Sequence, residues 1–365
     1  MNNVSENSPG QSYRVTGLPG DGIGPEVYAS ARTVLAELQT SFNFIIELQE
    51  HLIGGCAIDA VGDPFPAETL AACQSSDAIL LGAVGGPKWD KNPAELRPEK
   101  GLLRMRGDLG LFCNLRPIVT HPSLHSLAPL KPELLDDVDI MIVRELTGGI
   151  YFGEKKREGN VAIDVCQYSE EEIARVTRKA AAIAQGRSGR ITLVDKANVL
   201  ETSRLWREVV TAVISTEYAD VELEFMLVDA AAMHLLSNPG RFDVLLTENL
   251  FGDILSDEAS MLCGSLGVLP SASLSEDSVG IFEPCHGSAP DIAGQGIANP
   301  YGMLLSLAMM LRYSLNQQEA AIALEQSIFQ CWRNGVLTPD LTNEGIGTAE
   351  ATAAVCRQLN ARLED

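Results

Sequence analysis

Apolar runs alternate along most of the chain with segments whose apolar positions recur every three to four residues. Residues 13–18, 44–48, 77–84, 139–143, 190–194 and 243–247 read as strands. Residues 26–38, 66–74, 170–185, 203–218, 254–262, 300–313 and 317–334 read as helices, the first with Pro25 suited to its opening turn. Strands interleaved with helices predict an α/β protein with a largely parallel central sheet. No short repeat, low-complexity block or linker splits the sequence.

Composition narrows the class. The chain has 365 residues, 45% hydrophobic and 21% charged, which is long enough for two domains and apolar enough for a packed core. Its 49 acidic and 27 basic side chains give a net charge of −22. That excess excludes non-specific nucleic-acid binding and docking on anionic membranes as default partners. It leaves an anionic substrate open, because a cleft can carry the opposite sign from the surface. The apolar run 302–311 ends at Arg312 and is too short to span a bilayer. Eight cysteines, none spaced CxxC, predict reduced thiols rather than a zinc site or disulfide scaffold. The first twelve residues are polar and lack a signal-peptide core, so a flexible tail and a cytoplasmic location are expected.

Five stretches carry candidate chemistry. Gly20-Asp21-Gly22-Ile23-Gly24-Pro25 follows a strand and precedes a helix. Its spacing is GxGxG rather than the dinucleotide GxGxxG, and a tight turn accounts for it equally well. Asp253 and Asp257 are four apart and share a helix face, where a divalent cation would offset their repulsion. Asp229, at an expected strand end, is a third candidate, and a solvated helix N-terminus is the alternative for the pair. Arg106, Arg116 and Arg144 lie in apolar surroundings and need acceptors: substrate carboxylates or internal salt bridges. Lys196, after an apolar strand and before Asn198, is placed to serve as a base; Tyr151, in an expected glycine-flanked hairpin, as an acid. Taken singly, either residue type is more often structural. Finally, Glu283-Pro284-Cys285-His286-Gly287-Ser288-Ala289-Pro290-Asp291 packs polar groups between glycine and prolines, the mark of a shaped loop.

LPGDGIGPEV, RPEKGLL, NLRP, RELTGGIYFGE, VDKANVL, NLFGDILSD, GSLGVLPSASL and FEPCHGSAPDIAG occur in this order. On these motifs the chain, from about Tyr13 onward, resembles the isopropylmalate branch of the isocitrate/isopropylmalate family of β-decarboxylating dehydrogenases. The resemblance implies a two-domain, interwoven α/β fold that is not a conventional Rossmann fold. Residues 1–111 and 265–365 would form the first, cofactor-side domain, and 112–264 the second, substrate, metal and dimerisation domain.

The implied reaction oxidises the C2 hydroxyl of 3-isopropylmalate with NAD and releases CO₂, a step of leucine biosynthesis assisted by Mg²⁺ or Mn²⁺. Arg106, Arg116 and Arg144 would hold the carboxylates, Asp229, Asp253 and Asp257 the metal, with Asp229 also near substrate. Lys196 would be the base and Tyr151 the proton donor. Leu102 and Leu103 would pack on the isopropyl group and Glu99 would approach the nicotinamide. Asn198, His286, Gly287, Ser288, Ala289, Asp291, Ile292 and Asn299 would line the cofactor site, with Asp291 disfavouring a 2′-phosphate. A homodimer is implied in which Lys196 and Asp229 serve the partner's site. Glu248 stands where the family usually has glycine. Another 3-substituted malate, isocitrate or tartrate as substrate, and a catalytically silent paralogue, remain the alternatives.

Overall fold

The computed structural model describes residues 11–276 and 279–364. Most of the expected N-terminal tail lies outside the described residues. The chain divides into two units, Met1–Met105 with Ser278–Asp365, and Arg106–Asp277. It therefore leaves the first unit once and returns to it.

The first unit opens with β1 (Gln11–Gly20), α1 (Gly24–Phe42) and β2 (Phe44–Glu50). Pro25 sits in the first turn of α1, and Asn43, in the left-handed region at φ 52°, ends it. The short helices α2 (Gly55–Val61) and α3 (Ala67–Gln74) lead to β3 (Ala78–Ala83), and α4 (Pro98–Asp108) follows. β1 is flanked in parallel by β2 and β3. Every residue of β3 is buried, as expected of a parallel strand covered on both faces.

The second unit holds β4 (Cys113–Val119), β5 (Asp139–Glu145), the hairpin β6 (Lys155–Glu158) and β7 (Val161–Asp164), and α5 (Glu170–Gln185). Then come β8 (Arg190–Asp195), α6 (Glu201–Glu217), β9 (Glu222–Leu227), α7 (Val228–Ser237), β10 (Val244–Thr247), α8 (Asn249–Ser260) and β11 (Pro270–Leu274). Ser169 and Glu172 form a reciprocal capping box that starts α5 where the sequence places it. Its sheet runs β11-β4-β5-β10-β8-β9. β4 is antiparallel to both neighbours, and the other pairs are parallel. Pairing of β11 with β4 keeps the chain in this unit beyond the expected break at 264/265.

Back in the first unit, β12 (Gly280–Pro284) joins β3 in parallel. α9 (Tyr301–Tyr313), α10 (Gln318–Arg333) and α11 (Thr348–Glu364) follow. α9 is buried on every side from Tyr301 to Leu311, which explains its nearly unbroken apolar sequence. No helix among the described residues is long and apolar enough to cross a membrane.

Three local expectations change. α8 begins at Asn249 rather than at residue 254, because the Glu248 side chain accepts a hydrogen bond from the Phe251 N–H and caps it. Asp253 is thus inside the helix. Tyr151 closes a 3₁₀ turn, Gly149–Tyr151, with Gly149 at φ +70°. The hairpin lies downstream, turning at Gly159. Asp229 is in the first turn of α7, directly after β9.

Candidate active site

In the second unit, Arg144, Thr247 and Val194 stand in register across β5, β10 and β8, and Val194 is in turn aligned with Met226 of β9. The segments leaving these four parallel strands therefore emerge on one edge, the carboxyl edge where open α/β sheets place their ligands. Arg144, the Glu248–Asn249 pair, Lys196 and Asp229 all lie there.

Arg144 is buried, its side chain 5% exposed. Its Nε and Nη2 donate to Asn249 Oδ1 at 3.1 and 2.8 Å, and its Nη1 donates to Asp253 Oδ1. Burial pushes the guanidinium down to about 10, Asp253 opposes that, and Arg116 and Arg106 push it further down. Arg116 and Arg106 are therefore both near enough to Arg144 to act on it. Arg116 donates to Ser256 Oγ at 2.7 Å, Asp257 Oδ1 at 3.0 Å and Asn114 Oδ1 at 3.1 Å.

The Tyr151 hydroxyl donates to Asp253 Oδ2 at 2.7 Å. Burial, aided by that carboxylate, pushes the phenol up to about 12, so it keeps its proton at neutral pH. Asp253 and Asp257, on one face of α8, thus already face Arg144, Tyr151 and Arg116. Lys196 and Asp229 form a separate pair, Nζ to Oδ1 at 2.5 Å, which holds the Asp229 carboxyl below its usual range. Among the described residues, no three His, Cys, Asp or Glu side chains are gathered into a metal site. Asp253 and Asp257 are brought together; Asp229 stays with Lys196. Asn198 is exposed just beyond Lys196.

In the first unit, Glu99, Leu102 and Leu103 lie on α4, and Arg106 extends the same helix. Glu99 and Leu103 line a cleft with Asp90, Arg97 and Lys100. The glycine-rich turn is structural. Its Asp21 carboxylate is buried and accepts N–H bonds from Gly55, Cys56 and Gly85 at 2.8, 2.8 and 2.9 Å. The turn also seats the 286–289 loop, since the Ile23 N–H donates to the Ser288 carbonyl at 2.8 Å. In that loop the buried His286 Nε2 has no hydrogen-bond partner among the described residues. Gly287 and Asp291 are exposed, while Ala289 and Ile292 are half-buried. Asn299 is buried, its amide spent on Asp340 and the Tyr301 N–H.

Gly22, at φ +58°, admits no side chain: a Cβ would lie 2.0 Å from the Ser288 carbonyl oxygen. Gly22→Ala is expected to cost about 1–2 kcal/mol from the left-handed backbone alone, with the clash added. A thermal melt should show a lower Tm; an unchanged Tm would mean that the turn and loop separate freely.

Asn114, Tyr168 and Asn249 were not picked out by sequence reasoning. For Asn114 and Asn249 the signal is a polar group set in a buried run, and for Asn114 partners up to 159 residues away account for it; Tyr168, between exposed neighbours, carries no such signal.

Arginines, a phenol on a carboxylate and a lysine–aspartate pair thus stand along the carboxyl edge of a largely parallel α/β sheet, the place where enzymes of this architecture bind small molecules. A sequence profile described as Isocitrate/isopropylmalate dehydrogenase matches residues 14–355. The chain is 54% identical over 356 residues to the 3-isopropylmalate dehydrogenase of Bacillus subtilis, covering 96% of this chain and 97% of that one. It is 52% identical over 355 residues to that of Anaeromyxobacter dehalogenans, covering 96% and 99%. Isocitrate dehydrogenase from Methylococcus capsulatus superposes with TM-score 0.84 at 32% identity, over 95% of this chain and 99% of that one. A β-decarboxylating dehydrogenase from Thermococcus kodakarensis gives 0.81 at 36%, over 96% and 97%. The chain belongs to the isocitrate/isopropylmalate dehydrogenase family.

Proposed function

We propose that the protein converts 3-isopropylmalate to 4-methyl-2-oxopentanoate and CO₂ with NAD, in the cytoplasm, as a step of leucine biosynthesis. The observation that carries this reading is the arginine cluster facing the Tyr151–Asp253 pair, on a chain 54% identical to a curated 3-isopropylmalate dehydrogenase. The first unit is the cofactor side and the second the substrate side.

Arg106, Arg116 and Arg144 bind the two carboxylates, for which fork-shaped donors suit planar oxygen pairs. Lys196 takes the C2 hydroxyl proton. Bound NAD would supply the acceptor for the C2 hydride. The carboxylate on C3 then leaves as CO₂, and Tyr151 returns a proton to C3 of the enol. A phenol held protonated at neutral pH is suited to that donation.

Asp253 and Asp257 offer hard oxygen donors from one helix face, which fits Mg²⁺ or Mn²⁺. Such an ion, when bound, polarises the C2 oxygen. The separation of Asp229 from that pair within one chain supports a homodimer in which Asp229 of the partner subunit completes the set, with Lys196 beside it. On the cofactor side, the unpartnered His286 Nε2 suits a ring nitrogen of adenine. Gly287, Ser288, Ala289, Ile292 and Asn299 shape the pocket, Asn198 and Glu99 approach the nicotinamide end, and exposed Asp291 favours ribose hydroxyls over a 2′-phosphate.

Leu102 and Leu103 set the substrate, since burying a third carboxylate against them is costly. With Mg²⁺ or Mn²⁺ and NAD, reduction should run at least about a hundredfold faster, as kcat/KM, on 3-isopropylmalate than on isocitrate or tartrate. A preference for isocitrate would overturn the leucine argument.

A further inference from the structure

The first turn of α8 is capped twice. The Glu248 carboxylate accepts from the Phe251 N–H at 2.5 Å, and the Tyr168 hydroxyl oxygen accepts from the Asn249 N–H at 3.0 Å. These are two of the donors that a helix start leaves unmatched. The Tyr168 hydroxyl in turn donates to Glu248 Oε2 at 3.1 Å, which closes the arrangement. Tyr168 is 7% exposed and its ring meets Trp206 edge-on at 5.4 Å.

Asn249, whose backbone Tyr168 holds, is the residue whose Oδ1 takes two of the Arg144 hydrogen bonds. Its Nδ2 donates to the Gly148 carbonyl at 3.1 Å. Tyr168 packs against Gly148 and Gly149: a Cβ on Gly148 would lie 2.6 Å from its ring, and one on Gly149 2.3 Å from its hydroxyl oxygen. Those glycines begin the turn that carries Tyr151. One phenol therefore supports both the seat of Arg144 and the turn of Tyr151.

We propose that Tyr168 is a positioning residue for substrate binding, acting through Asn249 on the Arg144 guanidinium. This rests on the reading that Arg144 binds a substrate carboxylate. Tyr168 need not touch substrate itself: its hydroxyl fixes where Asn249 lies, and Asn249 fixes the plane of the fork. Glu248, bonded to both Phe251 and Tyr168, completes the hold.

Tyr168→Phe keeps the ring and its contact with Trp206 and removes one hydroxyl, the atom that also approaches Gly149. KM for 3-isopropylmalate should rise about tenfold, the scale of a small misplacement of a binding group, while KM for NAD stays unchanged. A lower Tm with both KM values unmoved would reduce Tyr168 to a structural role and overturn the proposal. Glu248→Gln keeps an acceptor for Phe251 but withdraws the carboxylate from Tyr168. It should raise the same KM by about threefold, and serves as the test if Tyr168→Phe does not fold. Combining Tyr168→Phe with Arg144→Lys should add nothing to the KM of Arg144→Lys alone; an additive rise overturns the route through Arg144. A raised KM in Arg144→Lys with an unmoved KM in Tyr168→Phe defeats the relay alone. An unmoved KM in Arg144→Lys defeats both the relay and the assignment of Arg144.

Discussion

Lys196→Ala is expected to lower kcat by about 10²–10⁴-fold, the usual worth of a positioned base, with little change in NAD affinity. The lysine directly follows β8; its backbone N–H donates to Ser203 Oγ at 3.1 Å, and its Nζ is 2.5 Å from Asp229. Both anchor points belong to the second unit. Rapid-mixing measurement of NADH formation, beside a fluorescence titration of NAD, separates the two effects; unchanged turnover would remove Lys196 from its role. The same variant tests the dimer. In a purified heterodimer with Arg106→Ala, sharing across subunits leaves one site with both lesions and one intact, so activity returns. If each subunit builds its own site, both sites are damaged and none returns.

Arg144→Ala should have the second large effect, on binding rather than on the proton. Loss of one partner of a desolvated, hydrogen-bonded ion pair costs about 2–5 kcal/mol, so kcat/KM for 3-isopropylmalate should fall by about 10³-fold while KM for NAD holds. Stability should also drop, by about 1–3 kcal/mol, because Asn249 Oδ1 and Asp253 lose the donors they face in a buried place. Arg144→Lys keeps the charge but cannot reproduce the three-pronged grip, and should fall between the two. A full kcat/KM in Arg144→Ala would mean that the substrate carboxylates are held elsewhere.

Much of this site was legible along the chain. Two aspartates four apart announce a shared helix face whatever surrounds them, and arginines in LLRMR, NLRP and IVREL announce a need for acceptors. The α/β alternation likewise follows from local periodicity, and α5 begins where Ser169 and Glu172 say it should. Other features were hidden for identifiable reasons. The early start of α8 depends on Glu248, a residue that caps only once its side chain folds back onto Phe251. The 3₁₀ turn at Tyr151 packs its two glycines against Tyr168, which leaves no room for a Cβ, and nothing in GGIY carries that information. The glycine-rich turn suggested a ligand, whereas Asp21 spends its carboxylate on three backbone N–H groups of its own unit.

The sequence by itself determined the α/β alternation, the acidic balance and the identities of the candidate side chains, because each follows from neighbours within a few residues or from simple counting. Only the tertiary structure decided which charges meet. Arg144 faces Asp253 and Asn249 across 109 and 105 residues, and Lys196 faces Asp229 across 33, because the parallel register brings four strand ends to one edge. Pairing over such distances is set by sheet order and burial, and no local pattern encodes either.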